Sequence, residues 1–379
     1  MIMNENYEKI ISSDGLKKDC NNLNQSFSYK RLKTELEEIV KEKIGRKIEK
    51  EKLLDIKYIN NILSKEKPEI VENIEIKEYI DSGSESRVYK SMVKNNKKFV
   101  AMKLILRNNK KINKHEIDIS RKLKNKNIIN FYGYSEIVKN ELDCMIIEYG
   151  KFGNLRYFQK KLLKKYCLSE SFLCYITYQI LNGLKYCHAH KVAHLDLKPQ
   201  NIIIDEHLNV KIIDFSISMD YSKIKKSQIQ LPKRGTSFYI APEIFSSQKI
   251  NIKDINKVDL YSLGILLYNL AFNSYPYDLS YDDMDDYNKI YKKINNNNLI
   301  IKNNKYYSPQ FNDFLSKLLQ KDINKRININ EAMNDYWIKG ANILFEEKDK
   351  IWNCNNFLIY LCSDNFKNFN DYIHKKNKS

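Results

Sequence analysis

The spacing of apolar residues changes along this chain, and each change predicts a different element. In residues 29–63 apolar residues recur at steps of three and four, which predicts one or two amphipathic helices. In residues 74–80 they alternate with polar residues, as in a half-buried strand. Residues 169–190 predict a longer helix, with Ser169 placed to cap its first turn.

Length and composition fit an ordinary globular protein. The 379 residues suffice for two packed lobes with extensions, and 42% hydrophobic beside 30% charged residues is typical of a soluble chain. Apolar runs stay below the roughly 18 residues of a membrane span. The start, MIMNENYEK, has neither an apolar signal core nor a glycine for myristoylation. We therefore expect a cytoplasmic or nuclear protein with no membrane partner.

Cysteine usage and charge add little chemistry. The seven cysteines form no CxxC pair, which favours reduced thiols over a disulfide framework. A net charge of +18 suggests attraction to polyanions. However, Lys, Asn, Ile and Tyr are abundant throughout, which indicates a compositional bias, and no nucleic-acid-binding motif accompanies the charge. We do not expect nucleic acid as a partner.

The segment 194–201, HLDLKPQN, resembles the catalytic loop of protein kinases, and DFS at 214–216 resembles the metal-binding segment that follows it. The apolar runs 202–204 and 210–213 between them predict a hairpin. The resemblance implies that Asp196 orients the attacking hydroxyl and that Lys198 balances charge on the transferred group. Asn201 and Asp214 would hold Mg²⁺, or Mn²⁺ in its place, on the phosphates of ATP.

Upstream, DSGSESRV at 81–88 resembles the glycine-rich kinase loop, of which only Gly83 is kept, and VAMK at 100–103 resembles the VAIK strand. By this resemblance Lys103 contacts the ATP phosphates and pairs with a helix carboxylate. Glu116, which opens a helical run to Lys124, is the predicted partner. Asp118 is close enough in sequence to remain an alternative.

The run CMIIEYG at 144–150 resembles the hinge between kinase lobes. Backbone groups of Glu148 and Gly150 would read the adenine edge, and Ile147 would set the depth of the pocket. The remaining residues implied to line the nucleotide site are Ile80, Gly83, Val88, Ala101 and Ile203.

The segment 235–243, GTSFYIAPE, resembles the end of a kinase activation segment, and Thr236 with Lys198 indicates the serine/threonine class. Thr236 would hydrogen-bond Asp196 and Lys198. The resemblance also implies an ion pair between Glu243 and Arg326, an anchoring role for Asp259, and a closing tryptophan at Trp337.

The implied fold is α+β: a two-lobed protein kinase with a small antiparallel-sheet lobe at 71–147 and a large, mainly helical lobe at 148–340. A partly helical extension would occupy residues 1–70, and a helical tail residues 341–379. The amphipathic segment 29–63 would dock onto the lobe that follows it. A partner-binding or dimerising helix is the alternative.

Four departures from the family pattern leave two functions open. The glycine-rich loop keeps only Gly83, and Leu195 replaces the arginine that pairs with a phosphorylated activation segment. Ser216 replaces a glycine, and Ser120 replaces a large apolar residue of the helix. The expected function is a serine/threonine protein kinase that uses Mg-ATP. The alternative is a pseudokinase that acts as a scaffold or allosteric partner.

Substrate preference follows from three further positions. Kinases that select basic peptides carry acids where this chain has Asn154, Gln200 and Asn269, all neutral. Basic residues meanwhile line the activation segment: Lys225, Lys226, Lys233 and Arg234. We therefore expect protein substrates that are acidic or already phosphorylated.

Overall fold

The computed structural model describes residues 73–82, 86–106, 114–138, 142–162, 168–246, 249–301 and 307–341. The predicted helices at 29–63, the tail from residue 342 onward and Gly83 lie outside these ranges. Within them, the α+β architecture of two lobes that the sequence implied is confirmed.

The small lobe is built on a five-stranded antiparallel sheet with the strand order β1-β2-β3-β5-β4. Its strands are β1 (Ile74–Ser82), β2 (Ser86–Val93), β3 (Phe99–Leu106), β4 (Phe131–Val138) and β5 (Leu142–Glu148). Helix α1 (Lys114–Lys122) follows β3 and begins at Lys114 rather than at Glu116. Its first residues, Lys114 and His115, are polar, so apolar spacing alone could not reveal this start.

The two faces of this sheet differ in what they contact. Ala101 lies opposite Ile147, and Lys103 lies opposite Met145. Because directly opposed residues share a face, these side chains lie on one side of the sheet, together with α1. The other side, which we call the outer face, carries an apolar cluster: Ile74, Ile76, Tyr89, Val100, Met102, Leu104, Ile137, Leu142, Cys144 and Ile146.

The large lobe is mainly helical. Its helices are α2 (Leu155–Leu162), α3 (Glu170–Ala189), α4 (Pro242–Phe245), α5 (Asn256–Phe272), α6 (Tyr287–Asn296), α7 (Pro309–Leu318), α8 (Ile329–Asn334) and α9 (Tyr336–Lys339). Its strands are β6 (Gly153–Asn154), β7 (Val192–Ala193), β8 (Ile202–Ile204), β9 (Val210–Ile212), β10 (Met219–Asp220), β11 (Gln228–Ile229) and β12 (Ile250–Asn251). Strands β8 and β9 form the predicted hairpin.

Two long helices make the core of this lobe. Ser169 caps α3, since its hydroxyl accepts the Phe172 N–H at 3.1 Å, as the sequence predicted. Helix α5 is mainly apolar and is buried from Val258 to Ala271. Gly264 allows this close packing, because a Cβ there would lie 2.8 Å from Leu319 Cδ2. No helix within the described ranges is long and apolar enough to cross a bilayer.

Two buried polar contacts close the large lobe. Arg326 donates two hydrogen bonds to the Glu243 carboxylate, at 2.7 and 2.9 Å, which is the ion pair that the resemblance implied. Trp337 is also buried, and its indole N–H donates to Glu170 Oε1 at 2.8 Å. Both contacts join residues that are far apart in the sequence.

Three buried cysteines, Cys144 in β5 and Cys174 and Cys187 in α3, carry free thiols. Burial raises the pKa of each of these thiols. They therefore stay protonated and belong to the packing of their lobes rather than to any reactive site.

Candidate active site

A lysine and two carboxylates join the small lobe to the large one. Lys103 of β3 donates to Glu116 Oε1 of α1 at 2.6 Å, and its Nζ lies 3.5 Å from Asp214 Oδ1. Burial lowers the pKa of Lys103, but the charges of Glu116 and Asp214 outweigh burial and raise it above its usual value. Asp118, the alternative partner, is exposed. Lys103 is therefore a fixed cation between two anions.

Asp214 is held as a carboxylate by the same contact. Burial would raise its pKa, but the Lys103 charge and hydrogen bonding from Ser216 hold the pKa below its usual value. Its φ of 65° lies in the left-handed region, which is uncommon for a residue other than glycine. The turn therefore depends on surrounding contacts.

The buried carboxylate of Asp259 holds the backbone of the catalytic loop in place. Asp259 of α5 accepts the N–H groups of His194 at 2.9 Å and Leu195 at 2.8 Å. His188 Nε2 lies 2.8 Å from the same carboxylate. Burial would raise the pKa of Asp259, but the hydrogen bond and charge of His188 keep it below the usual range. These contacts hold Leu195 at a φ of 64°.

The His194 ring links this loop to Asp214. Its Nδ1 accepts the Asp196 N–H at 3.2 Å, so its Nε2 carries the proton and donates to the Ile213 carbonyl at 3.0 Å. The ring also packs edge-on against Phe215, with 5.1 Å between centroids. The His194 ring therefore connects the segment 194–201, before the hairpin, to the segment 214–216, after it.

Asp196 lies at the centre of a hydrogen-bond network. Its Oδ1 accepts the N–H of Thr236 at 3.0 Å and the hydroxyl of Thr236 at 2.8 Å. Its Oδ2 accepts from Lys198 Nζ at 2.7 Å and from Asn201 Nδ2 at 3.0 Å. Lys198 Nζ also donates to Thr236 Oγ1 at 2.7 Å. The network thus joins the catalytic loop to the end of the activation segment.

Asn201 and Asp214 carry side-chain oxygens that suit a hard cation. The side-chain amide nitrogen of Asn201 donates to the Asp196 carbonyl and to its carboxylate. The side-chain oxygen of Asn201 therefore points away from both acceptors. The Asp214 carboxylate is about one-third exposed. No group of three His, Cys, Asp or Glu residues within the described ranges forms an all-protein metal site. One carboxylate and one amide oxygen fit Mg²⁺, which usually keeps water or phosphate ligands.

The predicted nucleotide-pocket residues fall on facing surfaces. Val88 lies opposite Lys103 in the sheet, and Ala101 lies opposite Ile147, so all four share the side of the sheet that carries α1. Gly150 lies against Ile203, since a Cβ at Gly150 would be 2.8 Å from Ile203 Cδ1. A side chain at residue 150 would therefore clash with Ile203 unless the Ile203 side chain moved.

Backbone hydrogen bonds define the hinge. The Glu148 N–H donates to the Asn130 carbonyl at 2.9 Å, and the Gly150 carbonyl accepts the Gly153 N–H at 3.0 Å. In front of the hinge lies a cavity of about 450 Å³. Its lining includes the predicted residue Ile80 and two of the neutral amides, Asn154 and Gln200. The other lining residues are Glu78, Tyr79, Asp81, Tyr149, Arg156, Tyr157 and Lys160.

Two contacts that the sequence did not reveal hold α1 to the activation segment. His115 Nε2 lies 2.7 Å from the Ser218 carbonyl, and Lys122 Nζ donates to Asp220 Oδ2 at 2.8 Å. Burial of Asp220 is outweighed by hydrogen bonds from Lys122 and Ser222, which lower its pKa to about 2. Both pairs are distant in sequence, so no local pattern could have shown them.

A third missed residue is Lys211 in β9. Its buried Nζ lies 3.1 Å from Glu148 Oε2 and 3.9 Å from Asp205 Oδ2, and it donates to the Lys126 carbonyl at 3.0 Å. Glu148 also accepts from the Asn130 side chain at 2.7 Å. The only sequence signal was a single lysine inside an apolar strand, which marks a buried charge that needs partners.

The fold and this arrangement of Lys103, Glu116, Asp196, Asn201 and Asp214 fit a protein kinase domain. Residues 74–338 match the family model described as protein kinase domain. The chain therefore belongs to the protein kinase family, and two of its relatives in Dictyostelium discoideum are named as serine/threonine-protein kinases, one of them as probable.

Curated relatives match at modest identity. The chain is 28% identical over 279 residues to an Aurora kinase of Dictyostelium discoideum, a match that covers 71% of this chain and 66% of the relative. It is 30% identical over 270 residues to an Aurora kinase of Schizosaccharomyces pombe, covering 70% and 71%. It is 32% identical over 228 residues to a carbon catabolite-derepressing protein kinase of Candida glabrata, covering 59% and 34%. The chain thus spans about a third of the length of the Candida relative.

Proposed function

We propose that this chain transfers the γ-phosphoryl group of Mg-ATP to serine or threonine hydroxyls of proteins. The observation that carries the proposal is the convergence of five side chains from both lobes. Lys103, Glu116 and Asp214 are joined on one side, and Asp196 and Asn201 on the other, with His194 linking the two groups.

The roles follow from the contacts. Thr236 and Lys198 fix the Asp196 carboxylate from three directions, so that it can orient a substrate hydroxyl and accept its proton. Lys198 also supplies a positive charge beside the group in transfer. Because these donors are already in place, little reorganisation accompanies the reaction.

Nucleotide binding uses the cleft side of the sheet. We assign the Glu148 carbonyl and the Gly150 N–H to the adenine edge, since the complementary backbone groups of both residues are engaged within the protein. Val88, Ala101 and Ile203 would pack on the ring, Ile147 would bound its depth, and Ile80 and Gly83 would cover it. Lys103, kept charged by Glu116, would bind phosphate oxygens.

The cation belongs to Asn201 and Asp214. When bound with ATP, Mg²⁺ neutralises charge on the phosphates. The protein's part is to hold Asp214 ionised, through Lys103 and Ser216, and to present the Asn201 oxygen. Mn²⁺ accepts the same ligands.

The first prediction concerns Asp196. The intact protein should transfer radiolabelled phosphate from Mg-ATP to generic protein substrates, and Asp196→Asn should lower the rate by about a thousandfold or more. The isosteric amide keeps the volume of the side chain but cannot accept a proton. Nucleotide binding, followed by thermal shift with Mg-ATP, should be retained.

The same experiment separates the alternative. Ser120, which is small and buried on α1, and Leu195 favour a pseudokinase that acts as scaffold or allosteric partner. Nucleotide binding by the parent protein, without transfer above the Asp196→Asn background, would support that alternative. Absence of both binding and transfer would contradict the nucleotide assignment as well.

Acidic or pre-phosphorylated protein substrates are the finer proposal. Of the three neutral amides, Asn154 and Gln200 line the cavity in front of the hinge, whereas Asn269 is buried and cannot face a substrate. The basic residues of the activation segment are exposed: Lys225, Lys226, Lys233 and Arg234. Positive charge beside the acceptor site favours anionic peptides.

A peptide-library screen tests this preference. Acidic or phosphorylated residues near the acceptor should be enriched, and Lys225→Glu with Lys226→Glu should reduce that enrichment. Lys339→Glu, at an exposed lysine of α9, is the matched control. Enrichment of arginine upstream of the acceptor would contradict the preference and leave the kinase assignment intact.

A further inference from the structure

The outer face of the small-lobe sheet contains a groove of about 280 Å³. Its floor is apolar, with residues from four strands, and its rim is polar. The lining residues are Asn73, Ile74, Val93, Lys98, Val100, Tyr132 and Ile146. Tyr132 is 43% exposed at one side of the groove, although it is a large aromatic residue.

This groove is separate from the nucleotide cleft. Val100 is the neighbour of Ala101 along β3, and Ile146 is the neighbour of Ile147 along β5, so the groove and the cleft lie on opposite faces of the same strands. An occupant of the groove would therefore not compete with ATP.

The position of Asn73 indicates what occupies the groove. Asn73 is both a lining residue and the first residue of the described part of the chain. The chain that precedes residue 73 is therefore joined to the fold at the edge of this groove. A segment joined covalently at that point is present at an effective concentration in the millimolar range. A weak apolar contact is therefore sufficient to keep the segment in the groove.

The preceding sequence supplies a matching surface. Leu32, Leu36, Ile39 and Val40 recur at helical spacing and form one apolar stripe. Glu35 lies at one edge of the stripe and Lys33 at the other. The stripe matches the apolar floor of the groove, which Ile74, Val93, Val100 and Ile146 form.

We propose that residues 29–63 form a helix whose apolar stripe docks into the groove bounded by Asn73, Val93 and Tyr132. The docked segment covers the open end of the apolar cluster that includes Val100 and Ile146. It contacts the strands that carry Lys103 and the hinge, and so ties the N-terminal extension to the small lobe without touching the cleft. The proposal does not depend on phosphoryl transfer.

Hydrogen exchange of the full chain, read by mass spectrometry, tests this docking. Amides in residues 29–63 should be protected in the parent protein. Leu36→Asp, which lies outside the kinase domain and leaves its folding intact, should speed their exchange by about tenfold or more. Tyr132→Asp, at the exposed rim, should do the same. Tyr336→Asp, at an exposed tyrosine of α9, is the matched control and should leave their exchange unchanged.

Several outcomes would overturn the proposal. Rapid exchange of residues 29–63 in the parent would show that no docking occurs. Protection that survives Tyr132→Asp would place the segment elsewhere. Protection that falls on dilution would assign the groove to a second copy of the chain, and protection that disappears on deletion of residues 342–379 would assign the contact to the tail.

Discussion

Leu195 stands where many related kinases carry an arginine that pairs with a phosphorylated activation segment. Its side chain is 6% exposed and belongs to the apolar core of the large lobe, which also includes Tyr221 and Leu231 of that segment. Burial in an apolar core needs no phosphate. Tyr221 adds a hydrogen bond of 2.7 Å from its hydroxyl to Asn256 Oδ1.

Activity should therefore not require phosphorylation of the activation segment. The double variant Ser222→Ala and Ser227→Ala, at two exposed serines, should keep turnover within about threefold of the parent. Ser218 is left unchanged, because it is buried and donates to the Phe215 carbonyl at 2.6 Å. Phosphatase-treated parent protein is the control. A loss above about a hundredfold, near 2.7 kcal/mol, would contradict this interpretation.

At the residue scale the sequence predicted the polar centre well. Asp196, Lys198, Asn201 and Thr236 form one network, as their motifs implied. Motifs reveal such residues because the required chemistry restricts residue type. The supporting contacts of His188 and Lys211 were missed, because a single histidine or lysine in a sequence does not indicate which distant residue it contacts.

At the element scale, β5 and β9 are joined by a buried charge cluster behind the hinge. Lys211 of β9 contacts Glu148 at the end of β5, and Asn130, which precedes β4, contacts the same carboxylate. The position of the hinge is thus set by elements of both lobes. The boundaries of β1, β8 and β9 were predicted closely, because alternation and apolar runs mark them directly, whereas β2 and β4 were not predicted as strands.

Lys211→Met should lower the free energy of unfolding by about 3 kcal/mol, because it leaves the Glu148 and Asp205 carboxylates without their shared cation. Urea unfolding at neutral pH measures the change. Lys211→Arg retains the charge and should lose distinctly less. Equal losses in both variants would show that shape, rather than charge, is what the site requires.

At the scale of the whole molecule, the Glu243–Arg326 pair joins the end of the activation segment to the turn that precedes α8. Arg326 is almost fully buried and also donates to the carbonyls of Lys257, at 3.0 Å, and Gln320, at 2.9 Å. One side chain thus connects three regions of the large lobe. The resemblance predicted this pair, whereas composition and periodicity could not.

Removing Arg326 should destabilise the protein severely. Arg326→Met leaves Glu243 buried without its cation and should cost about 3–5 kcal/mol of unfolding free energy. Lys77→Met is the control, since its pair with Glu75 is exposed on both sides and its loss should cost about 1 kcal/mol or less. Similar losses in the two variants, measured by urea unfolding, would contradict the importance given to burial.

The buried thiols give each lobe a reporter of its own opening. Cys144 lies in the small lobe and Cys174 and Cys187 in the large one, and burial keeps all three un-ionised. An alkylating reagent can modify them only when the surrounding structure opens. Peptide mapping after brief alkylation would thus measure the rate of local opening in each lobe separately. A nucleotide bound between the lobes should slow the modification of Cys144.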